Sequence, residues 1–181
     1  MKETPTLFSK RLRLRAFGIE DAEDVYEWCS SINVTRYLFW YPHRDKEVSK
    51  RLLSKWIKKK RHYSWCIEYE GKAIGEIEII KEIDASTCEI GYTLNEAYWR
   101  KGIMKEGLQE VLSYLFFFAH YNGVSAFTDI RNLASNALLS SLGFNRMKKE
   151  PYYIAKKDEY IEIYHYYCSK EDFEKRLSEN P

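Results

Sequence analysis

Apolar and polar residues alternate along the chain with the periods of strands and helices. Near the amino terminus, Leu12, Leu14 and Ala16 alternate with three arginines, which is the period-two pattern of a half-buried strand. Two stretches with apolar residues at helical spacing follow, one within residues 18–31 and one over residues 45–61. The pattern therefore predicts one strand and then two helices.

The middle of the chain is typical of a β-hairpin followed by a third strand. Aromatic and branched residues flank the turn residues Glu70-Gly71-Lys72, and the isoleucines Ile74, Ile77 and Ile79 recur after that turn. Residues 87–94, with the sequence TCEIGYTL, predict the next strand. Gly91 within it suggests a bulge or the close approach of another backbone.

The second half of the chain begins with its clearest helix, over residues 103–119, which Asn122-Gly123 is expected to stop. The elements predicted after it are a strand at 124–130, a helix at 132–142, strands near 146–155 and 159–168, and a short carboxyl-terminal helix. This order indicates an α/β fold, called α+β in some schemes, in which helices flank a mixed, mostly antiparallel central sheet of about seven strands.

Composition limits the function more by what it disfavours than by what it favours. The 181 residues carry a formal net charge of +2, which gives no indication of a dedicated nucleic-acid binder. Basic residues are most concentrated in the second predicted helix, at Lys50, Arg51, Lys55, Lys58, Lys59, Lys60 and Arg61. This basic helix is interpreted as a solvated face, and a contact with RNA or the ribosome remains the alternative.

The spacing of cysteine and histidine residues predicts no metal site. The four cysteines lie far apart without a CxxC pair, and the four histidines lack metal-ligand spacing, so reduced thiols are expected. The amino terminus lacks an apolar signal core, and no apolar run reaches membrane-spanning length. We therefore expect a cytoplasmic protein without a membrane contact.

Gly102 lies among basic residues where the clearest helix begins. The first four N–H groups of a helix have no partner within the helix, and they lie at the positive end of its dipole. With Arg100, Lys101 and Lys105 nearby, such a turn suits phosphate oxygens, although it can also be an ordinary helix start. The segment matches neither GxGxxG nor GxxxxGK[ST].

Four stretches, taken together, carry a family resemblance: SKRLRLRAFGIEDAEDVYEW, VTRYLFWYPH, EIGYTLNEAYWRKGIMKEGL and NLASNALLSSLGF. In this order and spacing they resemble the GNAT superfamily of N-acetyltransferases, and most closely the ribosomal-protein alanine N-acetyltransferase branch. The resemblance runs from Leu7 to Cys168. It implies the GNAT-like acyl-CoA N-acyltransferase fold in a single domain over 7–170, with a short helix or tail at 171–181. It also implies transfer of an acetyl group from acetyl-CoA to a primary amine.

The resemblance also assigns residues to the cofactor. The family motif Q/R-x-x-G-x-G/A, whose main-chain amides hold the diphosphate, corresponds to residues 99–104 here, and only its central glycine is kept. Asn132 resembles an asparagine that binds the pantetheine arm, although an Asn before a helix can equally be a cap. The residues expected to bind acetyl-CoA are Tyr92, Thr93, Leu94, Arg100, Lys101, Gly102, Ile103, Met104, Lys105, Asn132 and Ser135.

Acetyl transfer to an amine needs a base and a proton donor for the leaving thiolate. Glu89 is the first candidate for the base, because its strand is expected to border both substrates, and Glu76 and Glu78 are its rivals. The tyrosine that many family members use as the acid is replaced by Leu139. Ser135 matches the serine proposed for that role in the alanine branch, and Tyr152 and Tyr153 are other possible donors.

The acceptor is less well defined. Trp40 and Tyr41, in an unusually aromatic segment, could line its pocket or simply pack in the core. The expected partner is an amine, either a small molecule or a protein amino terminus, and the protein is expected to be a monomer or homodimer. The alternative functions are a non-catalytic acyl-CoA sensor or partner-binding module, and a ribosome or RNA contact through residues 50–61.

Overall fold

The computed structural model describes residues 3–59 and 63–179. Helices flank an eight-stranded, mostly antiparallel sheet with the strand order β1-β2-β3-β4-β5-β6-β8-β7. The fold class predicted from the sequence is therefore confirmed. The chain divides into two compact units: the first runs to Ile79 and includes Gly91–Val111, and the second contains Ile80–Ile90 and the chain from Leu112 onward.

The elements alternate along the chain much as the hydrophobic pattern predicts. The strands are β1 (Leu7–Phe8), β2 (Arg13–Arg15), β3 (Ser64–Tyr69), β4 (Lys72–Glu82), β5 (Thr87–Leu94), β6 (Gly123–Asp129), β7 (Asn145–Ile154) and β8 (Glu159–Ser169). The helices are α1 (Ala22–Cys29), α2 (Ile32–Thr35), α3 (Lys46–Lys59), α4 (Ile103–Phe117), α5 (Leu133–Ser141) and α6 (Lys170–Glu179). Two 3₁₀ turns lie at Ile19–Asp21 and Glu96–Tyr98.

The hairpin of β3 and β4 is the most local feature of the first unit. Glu70 and Gly71 have φ angles of 50° and 80°, so both central residues of the turn lie in the left-handed region that tight hairpins require. The two strands pair antiparallel from Tyr69↔Lys72 to Ser64↔Glu78, with a bulge between Ile67 and Glu68. The turn predicted from the sequence is confirmed.

Helices α1 and α3 enclose a core of their own in the first unit. Its buried members are Val25, Trp28, Cys29, Val34 and Leu53. Trp56 and Ile57 of α3 pack against this cluster, whereas Lys50, Arg51, Lys55 and Lys58 are exposed. The described part of the basic helix is therefore amphipathic, as its pattern predicts, while Lys60 and Arg61 lie outside the described residues.

The beginning of α4 lies close to the sheet of the first unit. A methyl group added at Gly107 would lie 3.3 Å from Ile77 Cδ1, 3.6 Å from Leu12 Cδ1 and 3.7 Å from Leu14 Cδ2. The small residue thus lets the helix axis approach the strands. This close packing fixes the position of the helix start, where the predicted phosphate site lies.

The second unit contains the only parallel strand pair among those described. Strand β5 pairs with β6 at Thr87↔Gly123, Cys88↔Val124 and Glu89↔Ser125, and β6 pairs antiparallel with β8. Helix α4 ends at Phe117, two residues before its predicted end, and His120 then adopts a φ of 60°. Gly123 begins β6 instead of capping the helix, and a Cβ added there would collide with the Tyr167 side chain.

Candidate functional site

The turn that connects β5 to α4 is fixed at its first half by hydrogen bonds. The Asn95 amide donates to Ile74 O at 2.8 Å, and Asn95 Oδ1 accepts from the Ala97 amide at 3.0 Å. Trp99 Nε1 donates to Leu94 O at 2.8 Å. Trp99, which stands where the family motif has Gln or Arg, therefore fastens the turn to the end of its own strand.

The second half of the same turn leaves its backbone donors open. Arg100 and Gly102 have φ angles of 59° and 73°, and Gly102 O accepts the first helical hydrogen bond, from the Glu106 amide at 3.0 Å. Gly102 is therefore the N-cap of α4 and has no side chain to offer. Within residues 3–59 and 63–179, no acceptor meets the amides of Ile103, Met104 or Lys105.

The space in front of these amides suits an anion. Apart from the residues on either side of Gly102, the only described atom within 4 Å of a Cβ built there would be Arg11 Nη2, at 3.6 Å. Lys101 Nζ lies 5.2 Å from the centre of the Tyr98 ring, and Arg100 and Lys101 are exposed. Three donors at the positive end of a helix, with cations around them, can hold phosphate oxygens. No sequence pattern indicated Arg11, because 91 residues separate it from Gly102.

The last residues of β5 lead into this turn. Thr93 and Leu94 are buried, and Tyr92 is half-buried. A Cβ on Gly75 of β4 would lie 2.3 Å from Thr93 O, so only glycine allows this approach of the two backbones. Packing of this kind holds residues 92–94 in a defined position next to the turn.

Two kinds of buried carboxylate lie on β4 and β5. Within the second unit, Glu89 is 5 % exposed, and its Oε2 lies 3.2 Å from Lys81 Nζ. Within the first unit, Glu76 is 8 % exposed and receives no hydrogen bond from any residue that the structure describes. Among the described residues, every side-chain oxygen or nitrogen that is fully buried has a hydrogen-bond partner. Because the Glu76 carboxylate has none, its oxygens are not fully buried and keep some access to solvent.

The environment of Glu76 favours a bound proton. Its burial, and secondarily the neighbouring carboxylate of Glu78, raise the pKa of Glu76 well above the usual value. Burial also raises the pKa of Glu78. Carboxyl groups in such surroundings can accept a proton near neutral pH, which is what a general base requires.

The start of α5 is closed by side chains. Asn132 Oδ1 accepts from the Ser135 amide at 3.2 Å, so the cap that the sequence left as an alternative for Asn132 is present. Asn136, which no sequence argument singled out, donates from Nδ2 to the carbonyls of Asp129, Ile130 and Asn132. Tyr166 Oη donates to Asn136 Oδ1 at 2.8 Å, which ties β8 to this turn.

The other proton donors considered from the sequence have other contacts. Leu139 is completely buried. Tyr153 Oη donates to Asp158 Oδ1 at 2.6 Å, and this hydrogen bond raises the pKa of Tyr153. The ring of Tyr152 lies 5.6 Å from that of Phe127. The Tyr153 hydroxyl is thus engaged with Asp158, whereas the contact of Tyr152 with Phe127 involves its ring and not its hydroxyl.

The aromatic segment after α2 is divided between core and surface. Trp40 packs against the core cluster of α1 and α3, and its ring lies 5.2 Å from that of His43. Tyr41 is 62 % exposed. Packing explains the position of Trp40, whereas most of the Tyr41 surface is exposed.

The described residues 3–59 and 63–179 contain no group of three or more His, Cys, Asp or Glu side chains arranged to hold a metal ion. Burial raises the thiol pKa of Cys29 and Cys66, and that of Cys168 to about 12, so these thiols stay protonated at neutral pH. In the same part of the chain, every helix is too short or too polar to cross a membrane.

The predicted site residues divide between the two units. The first unit contains Trp40, Tyr41, the β5 end and the turn with its helix start, as well as the rival bases Glu76 and Glu78. The second unit contains Glu89, Asn132 and Ser135. Sequence reasoning found the open helix start, but not the side chains that surround it in space.

Comparisons with known proteins agree with this architecture. The protein p20 of Bacillus licheniformis, described as an uncharacterized N-acetyltransferase, is 28 % identical over 93 % of this chain and 98 % of its own length. An acetyltransferase of the GNAT family from Bacillus anthracis has a similar structure, with a TM-score of 0.83 at 23 % identity over 92 % of this chain and 99 % of that one. The microcin C7 self-immunity acetyltransferase MccE, solved with acetyl-CoA and AMP, gives a TM-score of 0.79 at 17 % identity over 88 % and 93 % of the two chains.

The family model described as an acetyltransferase (GNAT) domain matches residues 11–145, which include β2 to β6 and the open turn at Gly102. This match shows, in agreement with the fold and the uncapped start of α4, that the chain belongs to the GNAT family of acetyltransferases.

Proposed function

We propose that the protein is an acetyl-CoA-dependent N-acetyltransferase that acetylates a primary amine by direct attack on the thioester. The observation that carries this proposal is the uncapped start of α4, where three amides have no acceptor among the described residues. Bound acetyl-CoA supplies an activated acetyl group as its thioester. The family match and the relatives named N-acetyltransferase support the chemistry in general.

The residues around Gly102 fit the diphosphate of the cofactor. The amides of Ile103, Met104 and Lys105 would donate to its oxygens, and the missing side chain of Gly102 lets the oxygens approach. Arg100, Lys101 and Lys105 add positive charge. Tyr92, Thr93 and Leu94 would accompany the pantetheine arm along β5, and Asn132 would contact that arm, both as the family resemblance implies.

The acceptor must reach the thioester as an uncharged amine. An α-amino group, with an ordinary pKa near 7.7–8.0, loses its proton much more easily than a lysine, so a modest base is sufficient. Glu89 remains a candidate, and its carboxylate forms an ion pair with Lys81. Burial without a hydrogen-bond partner supports Glu76, with Glu78 beside it, as the first candidate for the proton acceptor.

In the transfer step, the amine nitrogen forms a bond to the acetyl carbon and the carbon–sulfur bond of the thioester breaks. The amine proton passes to the base, and the departing thiolate takes a proton from a donor. Ser135, in the first turn of α5, is our candidate for that donor, since the family's usual tyrosine position is the buried Leu139. Tyr152 and Tyr153 remain the other candidates.

The acceptor class rests on the resemblance alone. The likeness to the ribosomal-protein alanine branch favours an α-amine, of a protein or of a small molecule. Tyr41 is exposed beside the aromatic segment and is the first residue to test for acceptor contact. Trp40, packed against the helical core, would shape the pocket indirectly.

A second candidate function follows from the position of Leu139. A chain without the usual acid could bind an acyl-CoA without using it, as a sensor or partner-binding module. Cofactor binding combined with no release of free thiol across a panel of amines would favour the sensor.

The first experiment is a thermal shift with acetyl-CoA. A ligand at about 100 times its dissociation constant stabilises by about 2.7 kcal/mol, which corresponds to a rise in melting temperature of roughly 5–10 °C at this size. The second is a free-thiol assay with α-amines, polyamines and aminoglycosides. An unchanged melting temperature at saturating acetyl-CoA would contradict the proposed function.

A further inference from the structure

We propose that Arg11 contacts the diphosphate of acetyl-CoA and supplies from the amino-terminal segment the guanidinium that the first position of the cofactor motif lacks in this chain. This inference rests on the proposed function, because it assumes that acetyl-CoA binds at Gly102. It adds a residue that lies far from the motif in sequence. Its basis is the position of the Arg11 guanidinium in the first unit.

The guanidinium borders the space that the absent Gly102 side chain leaves. Arg11 Nη2 lies 3.6 Å from the position of a Cβ on Gly102, and beyond Gly102 and its two chain neighbours it is the only described atom within 4 Å of that position. The amides of Ile103, Met104 and Lys105 begin at the same point of the chain. An anion accepting from these amides would therefore lie within reach of Arg11.

Hydrogen bonds from Nε and the backbone amide of Arg11 to Glu106 hold the arginine in this position. Its Nε donates to Glu106 Oε2 at 2.7 Å, and its backbone amide donates to Glu106 Oε1 at 2.8 Å. Ser9 Oγ also donates to Oε1, at 2.6 Å. Glu106 lies in the first turn of α4, so the arginine is attached to the very helix whose start it borders.

The outer nitrogens of Arg11 remain available. Neither Nη1 nor Nη2 donates to an acceptor among residues 3–59 and 63–179, and the side chain is 36 % exposed. A guanidinium offers five donors in a fixed plane, so one edge can bind the carboxylate while another binds phosphate. Lysine could not make both contacts in this geometry.

The motif itself shows what Arg11 would replace. The family pattern begins with Gln or Arg, and the corresponding Trp99 directs its indole N–H to Leu94 O instead. The position thus contributes no charge. Arg11 offers a guanidinium at the same turn from a segment that precedes it by 91 residues.

The test compares Arg11→Gln and Arg11→Lys with Arg13→Gln, a matched control on the same segment whose guanidinium lies 3.6 Å from Glu68. Dissociation constants would be measured by calorimetry for acetyl-CoA, CoA, dephospho-CoA and pantetheine. We expect Arg11→Gln to weaken acetyl-CoA, CoA and dephospho-CoA by about 10- to 100-fold, the usual effect of losing a charged hydrogen bond. Arg11→Lys should fall between Gln and the wild type, and Arg13→Gln should match the wild type.

Several outcomes would overturn the inference. If Arg11→Gln binds acetyl-CoA, CoA and dephospho-CoA as tightly as the wild type does, Arg11 does not contact the diphosphate. The proposed function would still stand in that case, because the wild-type protein binds acetyl-CoA. A loss with CoA but not with dephospho-CoA would assign Arg11 to the 3′-phosphate and contradict the diphosphate contact. An equal loss for pantetheine would indicate a general structural effect. The melting temperature without ligand shows whether the variant is folded.

Discussion

At the start of α5, Asn132 Oδ1 accepts a hydrogen bond from the Ser135 amide, whereas at the start of α4 Gly102 has no side chain, and the amides that follow it have no acceptor among the described residues. Three other helices among the described residues resemble α5. Ser31 caps α2 by accepting from the Val34 amide, Asp45 caps α3 by accepting from the Val48 amide, and Ser169 caps α6 by accepting from the Asp172 amide.

The difference between the two helix starts shows where the fold leaves polar groups unsatisfied. A side-chain cap stabilises a helix by about 1 kcal/mol relative to Ala, whereas Gly at the same position costs only about a few tenths of a kcal/mol, so the start of α4 loses little stability by keeping its amides without a cap. The carboxylates repeat the contrast: Glu89 is paired with Lys81, and Glu76 has no hydrogen-bond partner among the described residues. In both pairs, the member without a partner is our first candidate for contact with substrates, and Asn132, Ser135 and Glu89 are the further candidates.

The largest effect on turnover is expected from the Glu76 carboxylate, which has no hydrogen-bond partner among the described residues. Glu76→Gln should lower kcat by about 100- to 10,000-fold, the usual range for losing a general base, with little change in acetyl-CoA affinity. Glu78→Gln and Glu89→Gln are the comparisons, measured by free-thiol release at saturating cofactor. A larger loss in Glu89→Gln than in Glu76→Gln would return the role of base to Glu89.

The role of the uncapped start of α4 is tested by placing a side chain in front of its amides. Gly102→Val places a branched side chain in front of the amides at a φ of 73°, and acetyl-CoA affinity should fall by more than about 100-fold. Gly71→Val is the matched control, because Gly71 has a φ of 80° and nothing within 4 Å of an added Cβ. Both variants should lose similar stability. Equal affinity for acetyl-CoA in the two would contradict the account.

At the start of α5, two variants separate the two roles considered for Asn132, which are capping the helix and binding acetyl-CoA. Asn132→Asp keeps an oxygen for the Ser135 amide but loses the amide donor, so it should retain stability and weaken acetyl-CoA binding by about 10-fold. Asn132→Ala should lower the free energy of unfolding by about 1 kcal/mol as well. Unchanged affinity in both variants would make Asn132 a cap only. Chemical unfolding and calorimetry provide the two measurements.

The pH dependence of stability tests the unpartnered carboxylate again, with a smaller effect. Because the pKa of Glu76 is raised in the folded protein, that state holds the Glu76 proton to higher pH than the unfolded chain. This contribution to stability is complete below the unfolded pKa near 4.5 and is lost as pH rises through the folded pKa. Glu76→Gln should therefore gain melting temperature relative to wild type as pH rises. A difference that is constant with pH would contradict the raised pKa.

The smallest effect is expected on α3. Lys55→Gln with Lys58→Gln removes two exposed charges opposite the packed face of the helix. Acetyl-CoA affinity and turnover of a small amine should not change. RNA binding at low salt that disappears in this variant would favour the nucleic-acid alternative.

Local patterns explain why much of the fold was predictable. The hairpin turn at Gly71 and the end of α5 at Gly143, with φ angles of 80° and 91°, depend on the positive φ that glycine adopts readily and most other residues avoid. The two-residue strand β1 and the four-residue α2 were missed, because such short segments show no period. Gly102 was identifiable because a glycine among basic residues at a helix start is itself a local signal.

The site was less predictable, since several of its residues meet only in the folded chain. Arg11 reaches Gly102 through its ion pair with Glu106, and nothing in the order of residues indicates this. Asn136 organises the start of α5 through three carbonyls and Tyr166, a role that depends on tertiary contacts. The acceptor pocket, which rests on Trp40 and Tyr41, stays a prediction for the same reason.

The most direct test of the open helix start is a titration of ¹⁵N-labelled protein with CoA, followed through its backbone amide resonances. We predict that the amides of Ile103, Met104 and Lys105 shift strongly as they gain phosphate acceptors, while the Val48 and Asp172 amides, already bonded to the caps of α3 and α6, stay in place. Saturable binding of CoA without a shift at residues 103–105 would contradict the account.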